Sequence, residues 1–334
     1  MKVFVTGADG MLGSHICREL IRKNYSVRAL IQEERSTGTL EGLKIDKIYG
    51  DILDYEMILK GLGDCDALIN VAASTQVWPS RSRHIWAINY DAVKLLAKAA
   101  LSVKIDKFIH IGTATSFAPG SKKEPGTEFN EYTDFKYKLD YQDSKFAAQK
   151  YLLDLHKSEN FPVCIVNPTF MFGAYDSKPG AGQMISSIFN GNVPGYTRGG
   201  KSYIAAKDVA VGVVNALNKG RNGECYLTSG VNLNYQEAFS RIADVINTNP
   251  PCKYIPGIFV NIFGLIGSFF GTVLKFNPKI SFPMARISNA DCYYSNKKAV
   301  QELDLPQTPL EEAIEECYTW LHENGYLDDK RKEA

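Results

Sequence analysis

Three glycines close behind a strand constrain this chain more than any other feature. Lys2–Thr6 is a short β-branched and aromatic run, Gly7, Gly10 and Gly13 follow at once, and Ser14–Leu20 continues as a helix. A strand, a glycine turn and a helix in that order build a phosphate cradle. Gly7 permits the tight turn, Gly10 lets backbone N–H groups approach a pyrophosphate, and Gly13 lets the helix pack closely on the strand. Met11 and Leu12, between the last two glycines, belong to the same binding turn, and the helix N-terminus adds partial positive charge. The spacing is G-x-x-G-x-x-G rather than G-x-G-x-x-G, which points to one particular branch of dinucleotide enzymes.

The 334 residues suit one long α/β domain, or one with a smaller lobe. A net charge of +1 with mixed signs gives no nucleic-acid surface. Seven scattered cysteines without a C-x-x-C pair read as reduced thiols, not a disulfide framework or a metal site. A strand beginning at Lys2 leaves no room for a signal peptide, so a cytoplasmic location is expected. One stretch qualifies this. Tyr254–Leu274 carries no charge, and about 20 apolar residues would span a bilayer. Three glycines, an Asn and a Ser interrupt Ile258–Leu274, however. We expect a buried or lid helix over a greasy substrate pocket, with weak membrane-surface contact as the alternative and a true span as the third.

Strand and helix patterns alternate along the first half. Ser26–Ile31, Lys47–Tyr49, Ala67–Val71, Lys107–Gly112 and Val163–Asn167 are short apolar runs, with amphipathic stretches such as Ile88–Leu101 and Tyr141–His156 between them. This alternation predicts an α/β fold, a doubly wound parallel Rossmann sheet with ligands at the strands' carboxyl ends. Asp208–Leu217 and Glu224–Thr228 read as one more helix and strand. The segment from Asn167 to Lys201 is irregular, and the chain from about Asn232 reads as helices and loops. The expected division is a dinucleotide-binding domain of residues 1–171 plus about 205–230, and a smaller, largely C-terminal substrate-binding lobe of 172–204 and 231–330.

Further signals stand where a dinucleotide site needs them. Asp51 and Ile52 follow the third strand, where Asp51 would accept from an adenine amino group or serve as an ordinary helix cap. Ala72 and Ala73 close the fourth strand and let a ligand lie against the backbone. Thr113 ends the fifth. Tyr141 and Lys145 are four apart on a helix, hence on one face. Tyr-x-x-x-Lys occurs seven times in the chain, from Tyr90 to Tyr326. Only Tyr141 starts the helix that follows the Thr113 strand and feeds the next core strand. A phenol titrates near pH 10 (about 10), and a lysine one turn away favours the phenolate. Thr113 would clamp the substrate oxygen, and Lys145 would hold the nicotinamide ribose.

Together these features resemble an extended short-chain dehydrogenase/reductase, of the NAD-dependent epimerase/dehydratase superfamily, across almost the full length. The resemblance rests on Thr6-Gly7-x-x-Gly10-x-x-Gly13, the Asp51 turn, Ala72-Ala73, Thr113, Tyr141-x-x-x-Lys145 and Asn167–Gly173. The tail, with Ser295–Ala299, Glu302-Leu303 and Trp320…Tyr326, is similar to dihydroflavonol-reductase-like members. The resemblance implies catalytic roles for Thr113, Tyr141 and Lys145, puts Pro168 and Phe170 near the nicotinamide amide, and implies a homodimer through the Ile88–Leu101 and Tyr141–His156 helices. Where dehydratases carry an Asp-Glu pair after the threonine, this chain has Ala114-Thr115, which argues against dehydration. Where epimerases have an arginine before the late Asp-Val, it has Ser202–Val209, although Arg198 and Lys201 lie nearby. Asp208 itself reads as a plain cap of the helix after it.

The end of the second strand, Gln32-Glu33-Glu34-Arg35, bears on cofactor choice. An acid there would take a ribose 2′-OH and an arginine a 2′-phosphate. Gln32 is neutral and Arg35 would reach a phosphate, so NADP(H) is favoured over NAD(H). The expected activity is reduction of a ketone or aldehyde of a small, rather apolar substrate, or oxidation of the alcohol. The alternatives are a nucleotide-sugar epimerase with retained NAD and a non-catalytic dinucleotide sensor.

Overall fold

The computed structural model describes residues 1–178 and 180–327. Its strands are β1 (Lys2–Thr6), β2 (Ser26–Ile31), β3 (Asp46–Tyr49), β4 (Ala67–Asn70), β5 (Lys107–Ile111), β6 (Val163–Pro168), β7 (Phe170–Phe172), β8 (Gly200–Ala205), β9 (Cys225–Thr228), β10 (Val231–Asn234) and β11 (Asp291–Cys292). Seven of them form one parallel sheet in the order β3-β2-β1-β4-β5-β6-β9. Strands β4, β5 and β6 are buried at every position. That is why they read as continuous apolar runs: a parallel strand covered on both faces has no polar side to alternate with.

Helices cover both faces. Met11–Arg22 and Ala206–Lys219 pack on one, burying Leu12, Ile16, Leu20, Val209 and Val213 against Val3, Val5 and Ile69. Tyr55–Leu62, Ala92–Val103 and Asp140–Glu159 pack on the other, around Phe4, Leu68, Phe108 and Ile165. The strand order reverses direction between β1 and β4, so their carboxyl ends open a crevice there, where ligands of such sheets bind.

The structure adds elements that the pattern does not predict. A second sheet has the order β10-β8-β11 with β7 also paired to β8. A third core of Phe172, Ile185, Tyr203, Phe239, Ile314 and Leu321 lies beside it. With three residues in β7 and two in β11, these strands are too short to leave a periodic signal. The helix expected over Ile88–Leu101 starts earlier, at Arg83, and passes through a π-helical turn at Ala87–Asp91. Lys330, which completes the last Tyr-x-x-x-Lys pair and ends the expected lobe, lies outside the described residues.

The expectation that Ile258–Leu274 is a buried helix is overturned. Gly257–Val273 is a helix, but only Gly264 and Gly271 of it are buried. Its small residues face the protein, where a Cβ on Gly264 would meet Ala285 Cβ at 2.7 Å and one on Gly267 the Ile280 carbonyl at 2.7 Å. The large side chains are left outside. Among the described residues no helix is long and apolar enough to cross a membrane.

Asp208 is not a plain cap. It is the third residue of its helix, buried, and accepts from Thr308 N at 2.7 Å and Thr308 Oγ1 at 2.8 Å, which ties the start of the Leu310–Glu323 helix to the main domain. Asp208→Ala leaves that backbone donor unpaired. We expect a loss of about 1–3 kcal/mol in urea unfolding, with the Thr308→Ala change costing less because the backbone bond survives.

Candidate active site

The glycine turn is built by close approach. Gly7 has φ +66°, and a Cβ on it would lie 2.6 Å from Ala72 N, while a Cβ on Gly13 would collide with the Gly7 carbonyl oxygen. Gly10 is different: its nearest neighbour in that direction is 3.5 Å away, so this glycine keeps space open. The helix starts at Met11 with no side-chain cap and no acid in its first turn. The N–H groups of Met11, Leu12 and Gly13 therefore have no intrahelical acceptor and present an uncontested anion site. This cradle fits a dinucleotide pyrophosphate, because a side chain at Gly10 would fill it.

A buried polar rail then runs across the strand ends. Thr6 Oγ1 donates to Asn70 Oδ1 at 2.6 Å and accepts from Ala72 N at 3.2 Å, which sets the Ala72–Ala73 turn. Asn70 Nδ2 donates to His110 Nδ1 at 3.1 Å. Burial holds His110 well below its ordinary pKa, with the Lys145 charge as the second cause. Its Nε2 has no partner among the described residues. Further along, Asn89 accepts from Ser74 N at 2.8 Å and donates to Ser74 O at 3.0 Å and to Ser144 Oγ at 3.1 Å.

Thr113 leaves β5 directly, is buried, and its carbonyl accepts from Asn167 Nδ2 at 3.0 Å, which donates also to Gln149 Oε1 at 2.7 Å. Its hydroxyl lies 3.1 Å from Thr115 Oγ1. Tyr141 is the second residue of the Asp140–Glu159 helix. That helix start is pinned by Asp140, whose N–H donates to Ser80 O at 2.9 Å and whose carboxylate accepts from Ser82 N and Arg81 Nη1, each at 2.6 Å. Burial raises the Tyr141 phenol, and a hydrogen bond with the Thr113 side chain opposes the rise. Thr113 and Tyr141 thus meet. Lys145 Nζ donates to the Ile111 carbonyl, and burial lowers its pKa to about 7.

The remaining residues spread from this centre. Asp51 is exposed and accepts from Leu53 N at 2.9 Å, Ile52 is half-buried, and the helix cap is Asp54, which accepts from Glu56 N and Met57 N. Gln32 and Arg35 are both exposed, with Arg35 Nε donating to Gln32 Oε1 at 3.1 Å. Pro168 ends β6, and half-buried Phe170 stands edge-on to Tyr203 at 5.6 Å, with Lys201 Nζ 4.6 Å above its ring. Burial lowers the Lys201 pKa. Sequence reasoning missed the positioning group of His110, Asn89 and Gln149. Each is a polar residue on an otherwise apolar buried face, and that mismatch was the available signal.

A family model described as the NAD dependent epimerase/dehydratase family matches residues 3–228. A putative dihydroflavonol 4-reductase of Synechocystis sp. is 26% identical over 331 residues, 97% of this chain and 95% of that protein. Sterol demethylase protein B of Methylococcus capsulatus is 24% identical over 335 residues, 98% of this chain and all (100%) of that one. Among solved structures, a nucleoside-diphosphate-sugar epimerase from Pseudomonas aeruginosa aligns with a TM-score of 0.81 at 22% identity, covering 98% of this chain and 99% of that one.

The buried Lys145 predicts a pH effect on stability. Its pKa falls from 10.5 unfolded to about 7 folded, so the unfolded chain binds more protons between those values and stability rises with pH across them. Below about pH 7 the fold must hold a buried charge. Lys145→Met removes that burden, so without cofactor its Tm should exceed the wild-type value most below pH 7, with the gap closing towards pH 10.5. A gap that widens with pH would contradict the assignment.

Proposed function

Since the chain belongs to the NAD dependent epimerase/dehydratase family, we propose that it is an NAD(P)-dependent oxidoreductase acting on a carbonyl of a small, apolar substrate, or on the matching alcohol. The observation that carries this reading is that the start of the Asp140–Glu159 helix brings the Tyr141 phenol up to the Thr113 side chain just past the carboxyl end of β5, on the same sheet edge as the glycine cradle. Nicotinamide, when bound, supplies or takes the hydride. The chain's own residues do the rest. Tyr141, whose phenol carries its proton at neutral pH, gives that proton to the carbonyl oxygen in reduction and takes it back in oxidation. Thr113 donates a second hydrogen bond to that oxygen and keeps it aligned. Lys145 holds the ribose and, once charged, supports the phenolate that Tyr141 becomes.

Several features favour net reduction over elimination or epimerisation. Ala114 and Thr115 follow Thr113, so no acid pair stands ready for dehydration. The full-length relatives with the names dihydroflavonol 4-reductase and sterol demethylase protein B suggest apolar, ring-bearing substrates for this chain too. An epimerase with retained NAD is the second reading, favoured by one observation: Lys201, half-buried over Phe170, forms no ion pair among the described residues and would meet an anionic substrate group.

For the cofactor, we propose NADP(H) over NAD(H), with Arg35 swinging from Gln32 to a 2′-phosphate and Asp51 meeting the adenine. The chain is proposed to work in the cytoplasm, where its free cysteines stay reduced, as a homodimer through the Arg83–Val103 and Asp140–Glu159 helices. Half-buried Trp86, Tyr90 and Tyr151 stack edge to edge between those helices.

Tyr141→Phe should lose about 10²–10⁴-fold in kcat while binding reduced cofactor as tightly as wild type. Wild-type turnover in that variant would overturn the mechanism. Arg35→Ala should weaken NADPH binding by about 10- to 100-fold and leave NADH binding unchanged. An equal effect on both cofactors would contradict the 2′-phosphate role.

A further inference from the structure

The Gly257–Val273 helix is amphipathic the wrong way round for a water-soluble protein. Gly257, Asn261, Gly264, Ser268 and Gly271 recur every three or four residues and form the seam that faces the protein. That seam packs on the Phe282–Ile287 helix, with Ser268 Oγ accepting from Phe282 N at 2.8 Å. Opposite it, eight large apolar side chains from Ile258 to Phe270 are 48–65 % exposed, and Val273 and Leu274 continue the face. A soluble monomer rarely leaves so continuous an apolar face bare.

Charge says what covers it. From Asp244 to Asp291 the chain has Lys253, Lys275, Lys279 and Arg286 and no acid between. Lys253 and Lys275 flank the helix and Lys279 follows it. All three are exposed, and none forms an ion pair among the described residues. An apolar ridge about 25 Å long with unpaired cations at both ends matches an anionic bilayer surface, where side chains enter the acyl boundary and lysines meet headgroups.

The ridge also adjoins the chemistry. A Cβ on Gly271 would lie 3.0 Å from the Trp78 ring, so the helix rests on the segment between Ala73 and Ser80, and Ser80 O holds the Asp140 N–H beside Tyr141. The partner helix reaches the other side: Arg286 donates to Lys136 O at 2.8 Å and lies over the Tyr137 ring at 5.2 Å.

We propose that this helix seats the protein on an anionic membrane surface without crossing it. Resting on the oxidoreductase reading above, we infer further that the site takes a carbonyl or alcohol substrate dissolved in the lipid phase.

The test is flotation of the full chain with vesicles of phosphatidylcholine containing phosphatidylglycerol. Wild type should float with them, and a Phe259→Ser, Phe263→Ser, Phe270→Ser variant should stay behind, with an unchanged Tm to show that it folds. Replacing Lys253, Lys275 and Lys279 by Gln should weaken binding by on the order of a hundredfold, as should high salt. Wild type that ignores vesicles but forms an oligomer dissolved by the serine substitutions would overturn the proposal and give the face to a second copy. Turnover separates the second half. A steroid ketone held in the vesicles should lose kcat/KM in the serine variant, whereas water-soluble cyclohexanone should not. Equal loss on both would overturn the lipid-phase route. If neither ketone is reduced, the oxidoreductase reading fails while flotation still decides the docking.

Discussion

Everything at the site depends on how closely the first helix approaches the first strand. A side chain at position 13 would occupy the space of the Gly7 carbonyl oxygen, and one at position 7 would press on Ala72 N. Only two bare Cα atoms permit that contact. Its consequence is positional: the N-terminus of Met11–Arg22 stands directly over the gap between β1 and β4. The unpaired N–H groups there favour an anion, and the Ala72–Ala73 turn is held alongside by the Thr6 hydroxyl. Strand order supplies the crevice, and glycine lets it be used.

From that edge the polar rail runs inward. Thr6, Asn70 and His110 link β1, β4 and β5, and Lys145 approaches from the helix above. Buried polar groups cost free energy unless paired, and this rail is nearly but not fully paired. His110 Nε2 lacks a partner among the described residues, and Lys145 holds one carbonyl with a pKa brought down to about 7. A negatively charged or hydroxyl-rich ligand beside Lys145 would favour its charged form. The ligand would thereby supply what Lys145 needs to support a phenolate on Tyr141.

Much of this was legible in the chain itself, for identifiable reasons. The seven-stranded sheet could be read because strands buried on both faces are uninterrupted apolar runs, and β1 and β2 match their expected bounds, Lys2–Thr6 and Ser26–Ile31. Tyr141 could be proposed, with Thr113 beside it, because topology singles out one Tyr-x-x-x-Lys pair of seven. The second sheet could not, since β7 and β11 are held by pairing with β8 rather than by any period of their own. The lowering of the Lys145 pKa by burial is a tertiary effect that helical spacing cannot reveal. The apolar helix failed instructively. High hydrophobicity suggested burial, whereas the seam of small residues at Gly257, Asn261, Gly264, Ser268 and Gly271 already marked which side faces the protein.

The central claim is net hydride transfer, with Tyr141 as the proton donor. It is tested most directly by following deuterium from C4-labelled NADPH during turnover of an apolar ketone. The account predicts one deuterium on the carbinol carbon of the product for each cofactor oxidised. Label that stays with a cofactor never released, while a nucleotide sugar is inverted without net oxidation, would contradict it.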